Sequence, residues 1–196
     1  MYRVNEIFYS LQGEGRHTGR AAVFVRFSGC NLHCPFCDTD FNAYRLMTAA
    51  DIVDAIRQWR SCGFVVLTGG EPSLQIDESL VEVLHQEGFY VAVETNGTHA
   101  LPSDVDWVTW SPKDLFADKV PPLALTRIDE TKVVFDGLHD PERYCSIAPD
   151  SYLCLQPCDT GDHEHNQQIV SMCVDYILRH PQWHLSLQTH KLIHIQ

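Results

Sequence analysis

The sequence predicts an α/β protein built as a single domain over residues 1–196, namely an incomplete, TIM-like barrel of about six parallel strands with few helices. Short apolar, β-branched runs bounded by turn residues recur along the chain, and such runs are typical of buried strands. Helical patterns lie between several of these runs, which favours parallel pairing through right-handed crossovers. A chain of 196 residues with 44% hydrophobic residues is large enough to bury one core.

The predicted strands are distributed along most of the chain. They cover residues 22–27, 64–67, 90–94, 107–110, 132–135, 152–156 and 183–188. The connection between the fourth and fifth of these runs contains Pro112, Pro121 and Pro122, which disfavour a helix. We therefore expect a loop at that point and a barrel that lacks part of its helical layer.

Three helices are predicted between the strands. The first begins at Thr48, where Asp51 completes a capping pair, and it ends at Gly63. The second covers about residues 75–87, and the third covers roughly residues 166–179. Each carries apolar residues at helical spacing, so each is expected to pack one face against the sheet.

The composition excludes several classes of partner and location. The chain has 14 Lys and Arg against 26 Asp and Glu, a formal net charge of −12, so no basic surface is expected for nucleic acid or an anionic membrane. It has no amino-terminal leader pattern and no run of about 18 apolar residues, which predicts a cytoplasmic protein. Its eight cysteines should therefore stay reduced, and any tight cluster of them favours a metal site.

Polar and glycine-rich segments follow five of the predicted strands. They are Ser28-Gly29-Cys30, Thr68-Gly69-Gly70-Glu71-Pro72, Thr95-Asn96-Gly97, Ser111-Pro112-Lys113, and Pro157 after Gln156. The carboxyl ends of parallel barrel strands meet at one mouth, which is where enzymes of this architecture place their active sites. Ordinary turn chemistry explains any one of these segments, but it is a weak explanation for all five together.

Three cysteines lie close together in the first of these loops. The spacing Cys30-x3-Cys34-x2-Cys37 brings three thiolates to one site, and no fourth cysteine is near in sequence. Three ligands on a [4Fe-4S] cluster leave one iron open for a cofactor with amino and carboxylate donors. A zinc site is the alternative, but the chain offers no clear second pair of ligands. Cys62, Cys154 and Cys173 fit core positions. Cys145 and Cys158 could join Cys154 around a second cluster, but their spacing does not match a cluster motif.

This loop, with an aromatic residue before its last cysteine, resembles the signature of the radical S-adenosylmethionine (SAM) superfamily. Gly69-Gly70-Glu71-Pro72 is similar to the second signature of that superfamily. The resemblance implies a [4Fe-4S] cluster on the three cysteines and a bound SAM molecule. The implied SAM contacts are Phe36, Asp38, Gly69, Gly70, Glu71, Asn96, Ser111, Lys113 and Gln156. Taken alone, Thr-Asn-Gly is a common turn and Lys113 could be a surface cation.

Further segments resemble the 7-carboxy-7-deazaguanine synthases, and this resemblance spans essentially the whole chain. They include Glu6-Ile7-Phe8-Tyr9-Ser10-Leu11-Gln12-Gly13-Glu14-Gly15, Cys37-Asp38-Thr39, Leu155-Gln156-Pro157 and Leu187-Gln188-Thr189-His190-Lys191. The resemblance implies ring contraction of 6-carboxy-5,6,7,8-tetrahydropterin to 7-carboxy-7-deazaguanine with loss of ammonia, on the way to queuosine. It also implies a Mg2+ requirement, a flavodoxin-like electron donor and a homodimer.

The residues suit a pterin substrate. Gln12 and the backbone of Leu11 and Gly13 could read the amide-like edge of the ring, and the guanidinium of Arg26 could bind the carboxylate. The resemblance adds Thr68 and the carboxyl-terminal Gln196 as substrate contacts.

The same resemblance makes Thr39 the Mg2+ ligand, although its hydroxyl could equally cap the loop. The connection from Thr39 to Thr48 is shorter than in some relatives, which puts in doubt any docking surface that a longer insertion provides.

Two other functions share part of this pattern. An activase of a glycyl-radical enzyme would have the same cysteine and Gly-Gly-Glu-Pro motifs, but it would act on a protein backbone. A non-catalytic iron–sulfur module would bind the cluster without cleaving SAM. The Leu-Gln-Gly-Glu-Gly and Asp38-Thr39 segments favour the deazapurine enzyme over both.

Overall fold

The structure is a computed structural model that describes residues 1–35, 37, 43–117 and 119–196. Its strands form one sheet, in the order β3-β1-β2-β4-β5-β6-β7-β8-β9. The strands are β1 Tyr2–Leu11, β2 Ala21–Phe27, β3 Arg45–Met47, β4 Phe64–Gly69, β5 Tyr90–Thr95, β6 Trp107–Trp110, β7 Glu130–Phe135, β8 Tyr152–Pro157 and β9 His184–Leu185. All neighbours from β2 through β9 pair in parallel, which confirms the predicted fold class.

Two strands at one edge of the sheet were not predicted. β1 pairs antiparallel with both β2 and β3. A bulge between Val4 and Glu6 interrupts the alternation of β1, and β3 is only three residues long. The period-two pattern that identifies strands is therefore broken in the first case and too short in the second.

The helices are α1 Ala49–Ile56, α2 Glu78–Gln86, α3 Arg143–Ile147, α4 His163–Arg179 and α5 Thr189–Leu192. The capping box of Thr48 and Asp51 at the start of α1 is confirmed, and Gly63 ends the 3-10 turn that follows α1 at a φ of 62°. α2 begins later than predicted because Asp77 caps it, and α4 begins earlier because Asp162 caps it. The sequence did not predict the short helices α3 and α5.

The core has an outer and an inner part. Outside the sheet, Ile52 of α1 and Leu80 of α2 are fully buried against strands β2, β4 and β5, and Cys173 of α4 is fully buried against the second half of the sheet. Inside the barrel, the rings of Phe8 and Phe24 stack with centroids 4.9 Å apart. Among the described residues, no helix has both the length and the apolar character to cross a bilayer. The parallel strands thus place their carboxyl ends, and the polar segments that follow them, at one mouth.

Candidate active site

A cavity of about 270 Å³ opens at the carboxyl ends of the parallel strands. Every predicted site residue within the described ranges lines it. These are Leu11, Gln12, Gly13, Arg26, Cys30, Cys34, Cys37, Thr68, Gly69, Gly70, Glu71, Asn96, Ser111, Lys113, Gln156 and Gln196. The predicted residues Phe36, Asp38 and Thr39 lie outside the described residues. One cavity is therefore lined by residues that lie far apart in the sequence, from Leu11 to Gln196.

The cysteine loop forms one wall of this cavity. Cys30 and Cys34 are half-buried, Cys37 is exposed, and the backbone amide of Cys37 donates a hydrogen bond to the carbonyl of Cys34 at 3.2 Å. Burial raises the pKa of both Cys30 and Cys34, while the ammonium of Lys113 acts to lower that of Cys34. A bound metal centre, being cationic, would replace the protons of these thiols and so favour their thiolate forms.

The donor set of three thiols fits a [4Fe-4S] cluster. Within residues 1–35, 37, 43–117 and 119–196, no three His, Cys, Asp or Glu side chains converge as ligands of one ion. A cubane binds each thiolate through a different iron, so its cysteines stand farther apart than those of a zinc site. Three thiols on one wall fit a [4Fe-4S] cluster with one iron available to another ligand.

Glycine at position 70 allows β4 to pack directly against the cysteine loop. A Cβ at Gly70 would lie 2.1 Å from the carbonyl oxygen of Gly29, which is too close for any side chain. The amide of Gly70 donates to the carbonyl of Phe27, and the amide of Glu71 donates to that of Gly29, both at 2.9 Å. This backbone contact fixes the cysteine loop to the end of β4, independently of any approach to SAM.

The carboxylate of Glu71 joins the ends of β4 and β5. It is 1% exposed, and it accepts hydrogen bonds from the Ser73 amide at 3.0 Å, the Thr95 hydroxyl at 2.6 Å and the Asn96 amide at 2.7 Å. Three donors satisfy a buried charge in this position. Glu71 thus supports the turn that follows β4.

Asn96 connects the β5 turn to the cysteine loop. Its amide nitrogen donates to the side-chain oxygen of Asn31 at 3.0 Å, and Asn31 in turn donates to the hydroxyl of Thr98 at 2.9 Å. The Thr98 amide donates back to Asn96 at 3.0 Å. The loop that carries the cysteines is therefore held by side chains as well as by backbone.

Lys113 lies at the same end of the cavity. Its ammonium donates to the hydroxyl of Ser111 at 2.6 Å and to the Ser111 carbonyl at 3.1 Å. Burial lowers the pKa of Lys113, although Cys34 acts in the opposite direction. Because Lys113 is half-buried and lines the cavity, it is not a surface cation.

The deeper part of the cavity contains an ion network that the sequence did not predict. Lys132, which is 5% exposed, forms ion pairs with Glu14 and, at 3.5 Å, with Glu94. The amide nitrogen of Gln12 donates to Glu94 at 2.9 Å, and the side-chain oxygen of Gln12 accepts from the backbone of Glu14 at 3.1 Å. The motif that contains Gln12 and Glu14 thus contacts two strands of the barrel interior, β5 and β7.

Mutual attraction keeps this network charged. Burial alone would raise the pKa of Glu14, but the ammonium of Lys132 outweighs it and lowers that pKa to about 2. Burial alone would lower the pKa of Lys132, but Glu14, Glu94 and Glu130 raise it well above its ordinary range. A buried lysine with several carboxylates around it stays protonated.

Residues 188–196, which we call the strap, follow β9 and pack along β1. Gln188 donates to Glu14 at 3.0 Å, and the amide of Thr189 donates to the carbonyl of Gly13 at 3.0 Å. A Cβ at Gly13 would lie 2.2 Å from Nδ1 of His190, so glycine lets the strap approach. Farther along, Gln196 reaches residues of β1 beside the cavity.

Several cavity-lining residues were absent from the predicted site, among them Glu14, Glu94, Lys132, Gln188 and His190. One signal was available for Lys132, because a lysine inside an apolar strand requires a carboxylate opposite it. The identity of that carboxylate could not be read from the sequence, since Glu14 is 118 positions away.

Comparison with known proteins gives consistent results. Residues 24–108 match the Radical SAM superfamily. The chain is 50% identical over 196 residues to the 7-carboxy-7-deazaguanine synthase of Bacteroides thetaiotaomicron, with all of each chain covered. It is 43% identical over 217 residues to that of Bradyrhizobium diazoefficiens, which covers 100% of this chain and 99% of the relative.

A solved structure agrees with these relatives. The crystal structure of QueE from Escherichia coli superimposes with a TM-score of 0.80 at 28% identity, covering 95% of this chain and 93% of the other. The likeness therefore extends over nearly the whole of both chains.

Proposed function

The chain belongs to the 7-carboxy-7-deazaguanine synthase family of the radical SAM superfamily, and from this premise we propose how its residues divide the reaction between them. It is an enzyme of queuosine biosynthesis that acts on a pterin. The observation that carries the proposal is that a single cavity has three thiols on one wall and a buried carboxylate–lysine–amide network beneath them.

In this proposal Cys30, Cys34 and Cys37 hold the [4Fe-4S] cluster. When bound, the cluster and SAM supply the radical that takes a hydrogen atom from the substrate. The chain contributes the rigidity of the cysteine loop, through the contacts of Gly70 and Asn31 described above. Lys113, close enough to Cys34 to influence its pKa, balances part of the negative charge of the cluster.

In this proposal the strand ends would hold SAM. The backbone at Gly69 and Gly70 would bind its amino group, while Ser111 and Lys113 would bind its carboxylate or ribose. Asn96 and Gln156 line the same cavity, and each already has a partner, since Gln156 accepts from the Ser186 hydroxyl at 2.9 Å. These partners fix the orientation of the two amides, so each presents a defined polar edge. Phe36 and Asp38 complete the proposed set.

The pterin occupies the deeper part of the cavity. Its ring presents an edge of amide-like donors and acceptors, which the backbone of Leu11 and Gly13 and the side chain of Gln12 complement. The network around Lys132 holds Gln12 in one orientation, because the carboxylate of Glu94 accepts from its amide nitrogen. Thr68, whose hydroxyl donates to Glu94 at 3.4 Å, lies between the pterin and SAM regions.

Arg26 binds the substrate carboxylate in this proposal, and Gln196 closes the same side of the pocket. Arg26 lines the cavity from β2, with its guanidinium carbon 5.8 Å from the ring centre of Phe8. A guanidinium binds a carboxylate through two parallel N–H bonds, which fixes the orientation of the ligand.

Mg2+ is proposed to bind Thr39, with the rest of its shell from the substrate and water. Mg2+ keeps several waters and takes oxygen ligands, so one hydroxyl is a sufficient protein contribution. Replacing Thr39 with Val should weaken the response of the rate to magnesium. An unchanged magnesium titration in Thr39→Val would remove the role of this residue. A flavodoxin-like electron donor and a homodimer complete the proposal.

The decisive experiment is anaerobic reconstitution with iron and sulfide, followed by mass spectrometry of the reaction with 6-carboxy-5,6,7,8-tetrahydropterin, SAM, reductant and Mg2+. The expected result is 7-carboxy-7-deazaguanine, ammonia and SAM that is regenerated in each turnover. Cleavage of SAM with no contracted product would show that the pterin assignment is wrong.

A further inference from the structure

We propose that Glu6 is a positioning residue for substrate binding, because it holds the guanidinium of Arg26 and the side chain of Gln196 in one clamp beside the cavity. The inference rests on the proposed role of Arg26 as the group that binds the substrate carboxylate. It gives a role to a residue that takes no part in the cysteine motif and that stands at the start of the segment from Glu6 to Gly15.

The two carboxylate oxygens of Glu6 have different partners. Oε1 accepts a hydrogen bond from Nε of Arg26 at 2.8 Å, and Oε2 accepts one from the side-chain nitrogen of Gln196 at 2.8 Å. Glu6 and Arg26 are direct cross-strand partners in the register of β1 and β2, so their side chains project from the same face of the sheet. One carboxylate thus connects two residues that line the cavity.

Arg26 is also restrained on its other sides. Its stem packs against β4, where a Cβ added at Gly69 would lie 3.0 Å from Cγ of Arg26. Its guanidinium carbon lies 5.8 Å from the ring centre of Phe8. With Nε bonded to Glu6, the plane of the guanidinium is set, and so is the direction of its two terminal amino groups.

The clamp also connects Arg26 to the strap. The hydroxyl of Ser10 donates to the carbonyl of Gln196 at 2.6 Å, while Thr189 and Gln188 anchor the beginning of the strap at Gly13 and Glu14. Glu6 is thus the contact through which the position of the strap is communicated to Arg26. A strap that lifted from β1 would release one of the two partners of Glu6.

Two effects of Glu6 on a bound carboxylate oppose each other. Its charge repels an anion, while its hydrogen bond orients the group that binds that anion. The Glu6 side chain is 37% exposed, so water screens the repulsion, whereas the geometry of a bidentate contact does not depend on screening. Orientation should therefore dominate, and removing the charge should weaken binding.

The test compares two stable ligands, 6-carboxypterin and pterin, whose dissociation constants are measured by pterin fluorescence. Glu6→Gln keeps the size of the side chain but removes the charge from the group that accepts the hydrogen bond of Arg26. We expect it to raise the dissociation constant of 6-carboxypterin by about tenfold, which is the scale of one charge-assisted hydrogen bond, and to change that of pterin by less than about twofold. Gln196→Ala should reduce the affinity for 6-carboxypterin less than Glu6→Gln does. The double variant should bind 6-carboxypterin no more weakly than Glu6→Gln alone.

Glu87→Gln is the matched control, because it neutralises a carboxylate that also pairs with an arginine, Arg57, and neither residue lines the cavity. It should leave the ratio of the two dissociation constants unchanged. The proposed role of Glu6 would be wrong if Glu6→Gln reduced the affinity for both ligands equally. It would also be wrong if the variant bound 6-carboxypterin more tightly. Arg26→Gln tests the underlying assignment separately: if it removes the preference for 6-carboxypterin and Glu6→Gln does not, the role of Arg26 stands and the role of Glu6 falls.

Discussion

The two ends of the cavity are built from different interactions. At the cysteine end, strand ends meet through backbone contacts, with Gly70 against Gly29 and one buried carboxylate, Glu71, satisfied by three neutral donors. At the deep end, Lys132 is surrounded by carboxylates and has almost no contact with solvent. The cysteine end is therefore held by close packing and hydrogen bonds, and the deep end by ion pairs.

The difference shows what each end requires. A cluster loop must hold three thiols at fixed separations, and backbone hydrogen bonds give that rigidity without adding charge near the cysteines. A site for a polar heterocycle needs donors and acceptors that do not reorient, and a buried ion network supplies them because every member is bound on several sides. Disruption at the deep end should therefore reduce stability, while disruption at the cysteine end should mainly reduce chemistry.

The largest expected effect separates the cluster ligands from another thiol in the same cavity. Cys34→Ala should abolish cluster binding and activity, whereas Cys158→Ala should retain both, although Cys158 also lines the cavity. Iron and sulfide content after anaerobic reconstitution measures the difference. Equal loss of iron in the two variants would contradict the three-cysteine assignment.

Next in size is Lys132→Met, which leaves Glu14 and Glu94 buried without their cation. We expect the free energy of unfolding in urea to fall by about 3–5 kcal/mol. The matched variant at the cysteine end is Lys113→Met. It removes the hydrogen bonds that Lys113 donates to Ser111 at the edge of the cavity, and it should lower the free energy of unfolding by about 1 kcal/mol. Equal losses would show that charge does not distinguish the two ends.

Acid should act on the deep end through Glu14. Its folded-state pKa of about 2 lies below its ordinary value of 4.5, so its contribution to stability is complete above pH 4.5 and is lost as the pH falls toward 2. The loss is on the order of 3 kcal/mol. In Glu14→Gln, the free energy of unfolding should depend less steeply on pH over that interval. Parallel curves for the two proteins would place the titrating group elsewhere.

A smaller effect than at Lys132 or Glu14 is expected at Glu71. Glu71→Gln replaces one of its acceptor oxygens with a donor that faces the Asn96 amide, which should cost about 1–3 kcal/mol of unfolding free energy. Thr95→Val is its control, because it removes one of the three hydrogen bonds to Glu71, together with the bond that the Thr95 hydroxyl accepts from the Gly97 amide, and it should cost about 1 kcal/mol. A larger loss in Thr95→Val than in Glu71→Gln would mean that Glu71 is not the centre of this joint.

The two ends also differ in how far the sequence predicted them. Cys30, Cys34 and Cys37 lie within eight positions of the chain, so their spacing alone suggested a shared site. Glu14 and Lys132 are 118 positions apart, and Gln188 is 174 positions from Glu14. Nothing local marks such partners, because each pairing exists only once β7 and the strap have packed against the turn after β1.

The elements show the same distinction. The parallel strands and the cap of α1 were predicted because periodicity and capping are local signals. β1 was missed because a bulge breaks its alternation, and the strap was missed because α5 is a single turn held by contacts to Gly13. The structures of β1 and of the strap both depend on tertiary contacts, which cannot be read from the local sequence.

The close packing around Gly13 and Gly70 also bears on how such proteins are recognised. Both glycines belong to the segments by which the family is identified, yet each is required here by a neighbour within the same chain, His190 in one case and Gly29 in the other. A paralogue that drifted to a new reaction would keep these glycines for as long as it kept the fold. Surveys of genomes should therefore weigh the cysteines and Arg26 more heavily than the glycines when they separate active members from degenerate copies.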